Sequence, residues 1–447
     1  MRLRLFKLMV LLLVIVSLLF ANAHGVSDTM LKEKFTYGSG ENVGVEYLDW
    51  YKYPYYSSIL EEYEKKGYKP AAAEPIVVEP KDFKLDGNKQ PGLYYGVGGK
   101  DTGVFVWDKD INSCEWSFNV PVAGLYEVEI EYFMPPGSGN PGIRSLVVDG
   151  EIPFIEAGNI VFHRMWKDAG EPIINSIGDE VRPGQVEVQG WRTTRLIDGS
   201  GFYPTPFKFY FTPGIHTIKL EYIDQTIVFS DVKLVPAGEI PSYGTVKEQY
   251  IKNGYKMASQ SIEFEAESNV VEKNDPTVRR ESSGDPLSQP YSPAYRKLNV
   301  MGGYRWRRGN QSITWKFTVP EDGLYKIGMR VLQSYNDGLP SHRQIAIDGK
   351  VPFKEFLEYK FDYGTSWNSE VLKDEKGEPY LFYLEKGEHT LTMTVKMGSL
   401  TPIIQSLNAD TLLISEVLTD IYKITGSNPD PTMIMNFLRP FQILKAT

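Results

Sequence analysis

Two stretches of the chain alternate strictly between apolar and polar residues. They are residues 115–120 (EWSFNV) and 314–319 (TWKFTV), and in each the Trp, Phe and Val share one side. A period of two is typical of a β-strand with one buried face. A Val-Pro step ends each stretch and starts a turn, after which a new alternating stretch begins. The pattern predicts short antiparallel strands, with Trp116 and Trp315 in their cores.

These stretches belong to an internal duplication. Residues 116–154 match residues 315–353 at a constant offset of 199, and residues 209–217 match residues 382–390 at an offset of 173. The difference, 199 − 173, places 26 additional residues in the first copy, mostly between Phe162 and Gly190. Pro, Gly and Asn recur there, which predicts a long surface loop.

A short helical pattern precedes each copy. Residues 56–68 align with residues 243–255, and Gly67 and Gly254 follow basic residues where a left-handed residue would end a helix. After the second copy, apolar residues recur at helical spacing. They are Ile403, Leu407, Ile414, Leu418 and Ile421.

The sequence therefore predicts a mainly β protein with two tandem β-sandwich (jelly-roll) modules, each preceded by a short helix, and a C-terminal helix. The expected divisions are a signal peptide (1–23), a linker (24–55), the first module (56–240), the second module (241–400), the C-terminal helix (401–426) and an irregular tail (427–447).

The first residues match a secretory signal peptide. Arg2, Arg4 and Lys7 precede an apolar run from residue 8 to residue 20, and small residues end at Ala23. The run is shorter than the ~20 residues that a spanning helix needs, so we expect cleavage after Ala23 rather than an anchor. The mature protein is expected to be secreted, with no membrane span.

Charge and cysteine content narrow the classes of function. Loss of the three basic residues of the signal peptide changes the formal net charge from −9 to −12 (−9 − 3), and an acidic chain gains nothing from counterion release on nucleic acid. The single Cys114 cannot form an internal disulfide and is expected to be a buried thiol. His216 and His389 occupy one repeated position, which indicates a shared structural role.

The motifs of common catalytic sites are absent from the sequence. It contains no nucleophile elbow, no HExxH helix, no paired cysteines and no phosphate-binding loop. We therefore interpret the chain as non-catalytic.

Sugar rings have apolar faces ringed by hydroxyls, so their sites combine exposed aromatic rings with planar polar groups. A loop-like run around Trp306 mixes aromatic and guanidinium groups, although a Trp306 ring that covers the core fits the sequence equally well. The candidate carbohydrate-binding residues are Trp107, Tyr304, Trp306, Arg307 and Trp367.

A second candidate site is a calcium site in the second module. In a strand, Glu263, Glu265 and Glu267 would point to one side and offer oxygen ligands, which Ca²⁺ prefers. We expect Glu265 and Glu267 to hold a structural calcium ion. The alternative is a charged outer strand face. The first copy has Lys81 in this region, which makes calcium less favourable there.

Parts of the sequence resemble two known kinds of protein. Residues 265–267, 315–325 and 347–353 resemble the galactose-binding-like sandwiches of carbohydrate-binding modules. Residues 40–431 are similar to the amino-terminal half of large extracellular solute-binding proteins of bacterial sugar ABC transporters, of the Paenibacillus type. The stretches that carry this second likeness are residues 162–168, 182–186, 379–393 and 421–431.

The resemblances imply a glycan ligand and components of an ABC transporter as partners. In such proteins a two-lobed solute-binding domain follows the run that ends at Pro431, whereas 16 residues follow it here. The leading hypothesis is thus a secreted, non-catalytic carbohydrate-binding protein linked to sugar uptake. The alternative is a structural spacer or protein-interaction scaffold without sugar binding. A third hypothesis is a glycoside-active enzyme.

Overall fold

A computed structural model describes residues 53–86 and 90–426. The predicted signal peptide, the linker up to residue 52 and the tail from residue 427 lie outside the described residues. Antiparallel strands dominate the described part, together with three α-helices: α1 (Tyr56–Lys65), α2 (Tyr243–Lys252) and α3 (Thr401–Thr425).

The strands of the first copy form two sheets, and its insertion adds two hairpins. These strands are β1 (Ile76–Val78), β2 (Lys84–Leu85), β3 (Leu93–Tyr94), β4 (Val104–Trp107), β5 (Ser113–Val120), β6 (Gly124–Phe133), β7 (Gly142–Val148), β8 (Ile160–Phe162), β9 (Met165–Asp168), β10 (Ile173–Ile174), β11 (Glu180–Val181), β12 (Gln185–Val188), β13 (Trp191–Arg195), β14 (Phe209–Phe211), β15 (Gly214–Asp224) and β16 (Ile227–Pro236).

The second copy continues with shorter strands. They are β17 (Val270–Lys273), β18 (Arg279–Glu281), β19 (Val300–Gly302), β20 (Ser312–Val319), β21 (Gly323–Tyr325), β22 (Gly328–Val331), β23 (Ser341–Ile347), β24 (Tyr359–Phe361), β25 (Asn368–Val371), β26 (Phe382–Leu384) and β27 (Gly387–Lys396).

The first module is a two-layer sandwich. Its front sheet has the order β13-β6-β16-β4-β3, with β1 also paired to β16 and β14 to β6, and its back sheet has the order β2-β5-β15-β7-β8. Trp116 and Phe118 of the back sheet and Phe229 of the front sheet belong to one buried core. The alternation of residues 115–120 therefore predicted the buried face correctly.

The second module keeps the back sheet but not the front one. Its back sheet runs β17-β20-β27-β23-β24, whereas the front layer consists of two separate pairs, β21-β26 and β22-β25. Strand β16, which is central in the first module, has no counterpart among the described strands of the second module. After β27 the chain enters a short 3-10 helix (Gly398–Leu400) and then α3.

The insertion of the first copy is not the surface loop that we expected. Strands β9 and β12 form a hairpin, and Trp166 of β9 pairs with Lys273 of β17, so the hairpin extends the back sheet of the second module. The sequence did not reveal this hairpin because β9 and β12 have only four residues each. In addition, the sheet edge that the hairpin joins belongs to the other module.

Polar contacts hold the modules together. The buried ammonium of Lys273 lies 2.9 Å from a carboxylate oxygen of Asp168 in the hairpin. Lys396 is also buried, and its ammonium donates to the carbonyl of Tyr203 in the first module (3.2 Å) and to the Asn310 side chain (2.8 Å). Burial lowers the pKa of Lys396 to about 8. The two sandwiches therefore contact each other through a specific junction.

The helices agree with the sequence prediction. Gly67 and Gly254 both have a φ of +67°, and the Tyr68 N–H donates to the carbonyl of Tyr63 across the end of α1. Helix α3 has the predicted apolar residues, and many of them are exposed. Of the helices in the described part of the chain, none is long and apolar enough to cross a membrane. The mainly β fold with two sandwich modules and a C-terminal helix is confirmed.

Candidate functional site

Trp107 is not part of an exposed site. It lies on β4 with 0% of its surface exposed, and its ring nitrogen donates to the carbonyl of Ile111 (2.8 Å). The guanidinium of Arg144 stacks on the ring at 4.3 Å. A sugar platform requires an open ring face, so the assignment of Trp107 as a carbohydrate-binding residue is wrong.

Trp306 repeats this arrangement in the second module. Its ring nitrogen donates to the carbonyl of Gln311 (3.2 Å), Arg343 stacks on it at 4.5 Å, and its edge meets the buried ring of Trp315 at 6.1 Å. The ring is partly buried and packs against the core. Trp306 therefore covers the core, as in the alternative interpretation, while Trp315 lies in the core as predicted.

Sequence reasoning did not identify the structural role of Arg144 and Arg343, which are equivalent residues of the two copies. Both occupy one repeated position at the offset of 199. Burial lowers the pKa of Arg144 to about 9 and that of Arg343 to about 10. The repeated Arg was visible in the sequence, but its stacking on a Trp that lies 37 residues earlier depends on the tertiary fold.

The loop that follows Trp306 is held in one conformation. The side-chain oxygen of the buried Gln311 accepts from the N–H groups of Arg307 (2.8 Å) and Arg308 (2.7 Å). Its side-chain nitrogen donates to Asp275 (2.7 Å). These contacts fix the loop before any ligand binds, which reduces the entropy cost of binding.

Tyr304 and Arg307 on either side of Trp306 lie next to Tyr335 of the loop between β22 and β23, and we call these three exposed residues the aromatic platform. Tyr304 and Tyr335 are 51% and 68% exposed, and their ring centroids are 5.3 Å apart at an angle of 63°. The guanidinium of Arg307 lies 3.8 Å from the Tyr304 ring. Arg307 covers one face of Tyr304, but about half of that ring and more than half of Tyr335 remain exposed. Exposed rings beside a planar donor group are what a sugar site needs. The structure thus brings Tyr304 and Arg307 together as predicted candidates.

Two further loops complete this surface. The Asn336 side chain donates to the carbonyl of Pro340 (2.8 Å) and closes the loop that holds Tyr335. The Gly364 N–H donates to the carbonyl of Gln333 (2.9 Å) and joins the loop before β25 to it. Trp367 follows on that loop and is partly exposed. Trp367 therefore lies on a loop that is hydrogen-bonded to the loop of Tyr335, whereas Trp107 lies in the other module.

Tyr335 was missed by sequence reasoning. It precedes Asn336-Asp337-Gly338, a turn signal that predicts an exposed loop. An aromatic residue beside such a turn is a usable indication of a surface site. Its counterpart in the first copy is Pro136, so the repeat comparison did not draw attention to it.

The strand geometry expected for the calcium site is wrong. Residues 261–265 form no strand, and Glu267 lies in a turn. Glu265 is exposed, whereas Glu267 is buried, and burial together with the nearby charge of Glu265 raises the pKa of Glu267. Within the described ranges no group of three His, Cys, Asp or Glu residues could hold a metal ion. Calcium at Glu265 and Glu267 stays a sequence prediction without its original geometric basis.

The first module has a polar cavity on the outer face of its front sheet. Its volume is about 170 Å³, and its lining residues are Glu129, Glu131, Thr193, Asp231 and Lys233. Lys233 and Arg195 contact Glu129 at 3.7 and 3.4 Å, so the wall is partly neutralised. Charged and hydroxyl groups here could bind hydroxyls, but the lining contains no aromatic ring.

The repeated histidines have the structural role that we predicted. His216 and His389 each contact an Asp of the preceding Asp-Gly turn at 2.7 Å, and each contacts a carbonyl oxygen with the other ring nitrogen. Cys114 is buried, as expected, and burial raises the pKa of its thiol.

Comparisons with known proteins give structural likenesses only. No family model and no curated protein matches the chain. A Podospora anserina GH26-CBM35 β-(1,4)-mannanase is 12% identical with a TM-score of 0.22, over 41% of this chain and 36% of its own. A family 35 carbohydrate-binding module from Clostridium thermocellum is 13% identical with a TM-score of 0.21, over 37% of this chain and 100% of its own.

A third similar structure is the CBM35 from Cellvibrio japonicus Abf62. It is 13% identical with a TM-score of 0.22, over 37% of this chain and 95% of its own. The chain thus spans about a third of the mannanase and nearly all of each isolated module. At these TM-scores the likenesses carry no argument, and the fold stated above rests on the strand pairing of this chain.

Proposed function

We propose that the protein is a non-catalytic, extracellular carbohydrate-binding protein whose ligand contacts the aromatic platform of the second module. The main observation that supports this proposal is the exposed pair Tyr304 and Tyr335 beside the guanidinium of Arg307. Each ring offers an apolar face to the C–H groups of a sugar, and the guanidinium donates to its hydroxyls.

The surface suits an extended glycan better than a small enclosed sugar. The platform residues lie on two loops on the outside of the module, and the cavity described above lies in the first module instead. A chain of sugar units could lie across both rings at once. Contacts with several units would add up to a useful affinity although each one is weak.

The protein would serve sugar uptake. The support is the likeness of residues 40–431 to extracellular solute-binding proteins of sugar ABC transporters. In this role the platform retains a glycan near the cell envelope, and the transporter components are its partners. The expected signal peptide supports the extracellular location.

The test is a titration of the full chain with a panel of plant and bacterial polysaccharides, followed by single substitutions. Tyr304→Ala and Tyr335→Ala should each weaken binding about tenfold, because anchor residues in binding surfaces contribute on the order of 1 kcal/mol or more. Their melting temperatures should stay close to that of the parent, since both rings are exposed.

The matched control is Tyr422→Ala, which removes a ring of similar exposure from α3. It should leave binding unchanged. Equal binding by the Tyr304, Tyr335 and Tyr422 variants would contradict the assignment of the platform. Absence of binding to any glycan by the parent chain would contradict the carbohydrate function itself.

A spacer function is the second candidate, and the junction between the modules favours it. Lys273 and Lys396 are buried between the copies with specific partners, which indicates a fixed arrangement rather than a flexible tether. A chain that binds no glycan on the panel but unfolds in one cooperative transition would support the spacer.

A further inference from the structure

One strand edge of the second module is unpaired within the described part of the chain, whereas the equivalent edge of the first module is paired with β16. In the first module, β6 pairs on one side with β16, over a register that includes Ile130 with Val232 and Glu129 with Lys233. The corresponding strand of the second module, β22, pairs only with β25 among the described strands. The place of β16 is therefore open in the second copy.

Backbone groups point into this open place. The carbonyl of Ile327 accepts from the N–H of Leu372 (3.0 Å), so the backbone of Ile327 faces the β25 side. Successive residues of a strand direct their backbone groups to opposite neighbours, so Lys326, Gly328 and Arg330 direct theirs to the open edge. An edge of this kind is a template for an added strand.

Apolar side chains near the edge are less covered than in the first copy. Ile327, Met329 and Val331 pack against the core but are partly exposed. Their counterparts Val128, Ile130 and Tyr132 are buried. Phe264 is also partly exposed, and residues 263–265, which correspond to β1, form no strand. Since β1 pairs with β16 in the first module, both observations follow from the same missing strand.

The charges beside the edge indicate the chemistry of its partner. Lys326 and Arg330 are exposed, and neither forms an ion pair with another described residue. The first copy has Glu127 and Glu131 in these positions, and the neighbouring Glu129 faces Lys233 of β16. The sign of the charge is thus reversed between the copies. A strand that fits the second module must present acidic residues on its outer side.

We propose that the second module binds an extended polypeptide strand of another protein, with apolar residues on its inner side and acidic residues on its outer side. The strand would occupy the place that β16 occupies in the first module. This mode gives affinity through backbone hydrogen bonds and specificity through alternate side chains. It is independent of the proposed sugar platform, whose residues lie in the loops.

The probe is a fluorescent ten-residue peptide with the sequence of Ile227–Pro236 and the change Lys233→Glu, titrated with the full-length chain. Saturable binding is expected by fluorescence anisotropy. In the register of the first module, residue 330 would lie beside Asp231 of the peptide and diagonally across from position 233. Arg330→Glu in the protein should therefore weaken binding about tenfold, since like charges would then lie on neighbouring positions of the two strands. The unchanged peptide, with Lys233, should bind more weakly than the Glu peptide to the parent protein.

N-methylation of the peptide distinguishes strand pairing from general apolar binding. In the first module the backbones of Lys233 and Val235 face β6, whereas those of Val232 and Leu234 face β1. Methylation of the nitrogens at peptide positions 233 and 235 should abolish binding, and methylation at positions 232 and 234 should preserve most of it. Equal effects of the two methylated forms would overturn strand addition.

Three other results would overturn the proposal. One is the absence of saturable binding at about 1 mM peptide by a folded protein, a weak limit for specific recognition. Another is binding that occurs only after deletion of residues 427–447, which would make the chain's own tail the occupant. The third is peptide binding that separates an oligomer into monomers, which would make a second copy the occupant. Glycan binding measured on the same samples tests the sugar platform separately.

Discussion

The two modules share a sequence pattern but differ in how completely they close. In the first, β16 lies between β6 and β4, and Trp107 of β4 and Phe229 of β16 are both buried. In the second, the chain turns into α3 where that strand would be, and Trp306 is only partly covered. One strand therefore decides whether the same Trp and Arg pair is enclosed or lies just under an exposed platform.

The comparison also explains why only the second module has the aromatic platform. Tyr304 corresponds to Phe105 of the first copy, which is on β4 and buried against the core. Without a central strand to pair with, the segment around Tyr304 forms a 3-10 turn instead, and the ring is exposed. A position that is buried in the first copy is thus exposed in the second, where no described strand takes the place of its sheet partner.

The largest expected effect tests this difference in closure. Trp107→Ala should lower the free energy of unfolding by about 3–5 kcal/mol, because a fully buried indole leaves a cavity. Trp306→Ala should cost about half as much, since its ring is partly in solvent. Urea unfolding followed by circular dichroism measures both. Equal losses of unfolding free energy in the two variants would show that Trp306 is buried as completely as Trp107.

The second prediction concerns the junction between the modules. Asp168→Ala should destabilise the protein by about 3 kcal/mol, because it leaves the buried ammonium of Lys273 without this partner. Calorimetry should then show two transitions in place of one.

The double change Asp168→Ala with Lys273→Met is the matched control. It removes both charges and should recover part of the loss. If the single and double variants unfold alike in one transition, the ion pair does not couple the modules.

A glycine at the junction provides the third prediction. A Cβ at Gly309 would overlap the backbone carbonyl of Ser200 in the first module, so Gly309→Ala should cost about 2 kcal/mol. The corresponding residue of the first copy is Asp110, which is exposed. Thermal unfolding of Gly309→Ala is compared with that of Gly284→Ala, where a Cβ meets open space. Similar curves would mean that the modules are not in close contact here.

The smallest effect concerns pH and the repeated histidine. Partial burial lowers the pKa of His389, but its hydrogen bonds to Asp348 and to the Glu385 carbonyl outweigh burial, and the net shift of the pKa is upward. The protonated ring is therefore favoured by folding. Its contribution to stability is fully present below the ordinary value of 6.5 and is lost as the pH rises through the raised pKa of the folded state.

Because Asp348 is about half exposed, solvent screening keeps this contribution below about 1 kcal/mol. Urea unfolding at pH 5.5 and pH 8 should show a smaller difference for His389→Gln than for the parent chain. His216→Gln removes the matching ring of the first module and serves for comparison. An unchanged pH difference in His389→Gln would exclude the ring as its source.

Local patterns determined much of the architecture. The period of two in residues 115–120 and 314–319 predicted which sides of β5 and β20 face the core, because side chains of a strand alternate between its faces. The repeated Gly67 and Gly254 predicted the ends of the helices that precede each module, because their left-handed conformation suits glycine. Tyr304 and Arg307 were found from the residue types of a loop.

Long-range contacts decided the rest. The hairpin of β9 and β12 looked like a loop because its partner strand β17 lies about 100 residues later, in the other module. Trp107 and Trp306 were candidates for open platforms as well as for core positions, since nothing local reveals the guanidinium groups that stack on them. The expected strand at Glu263–Glu267 did not form: β1 of the first copy pairs with β16, and no described strand of the second copy takes the place of β16. Pairing partners distant in sequence thus determined which aromatic and acidic residues reach the surface.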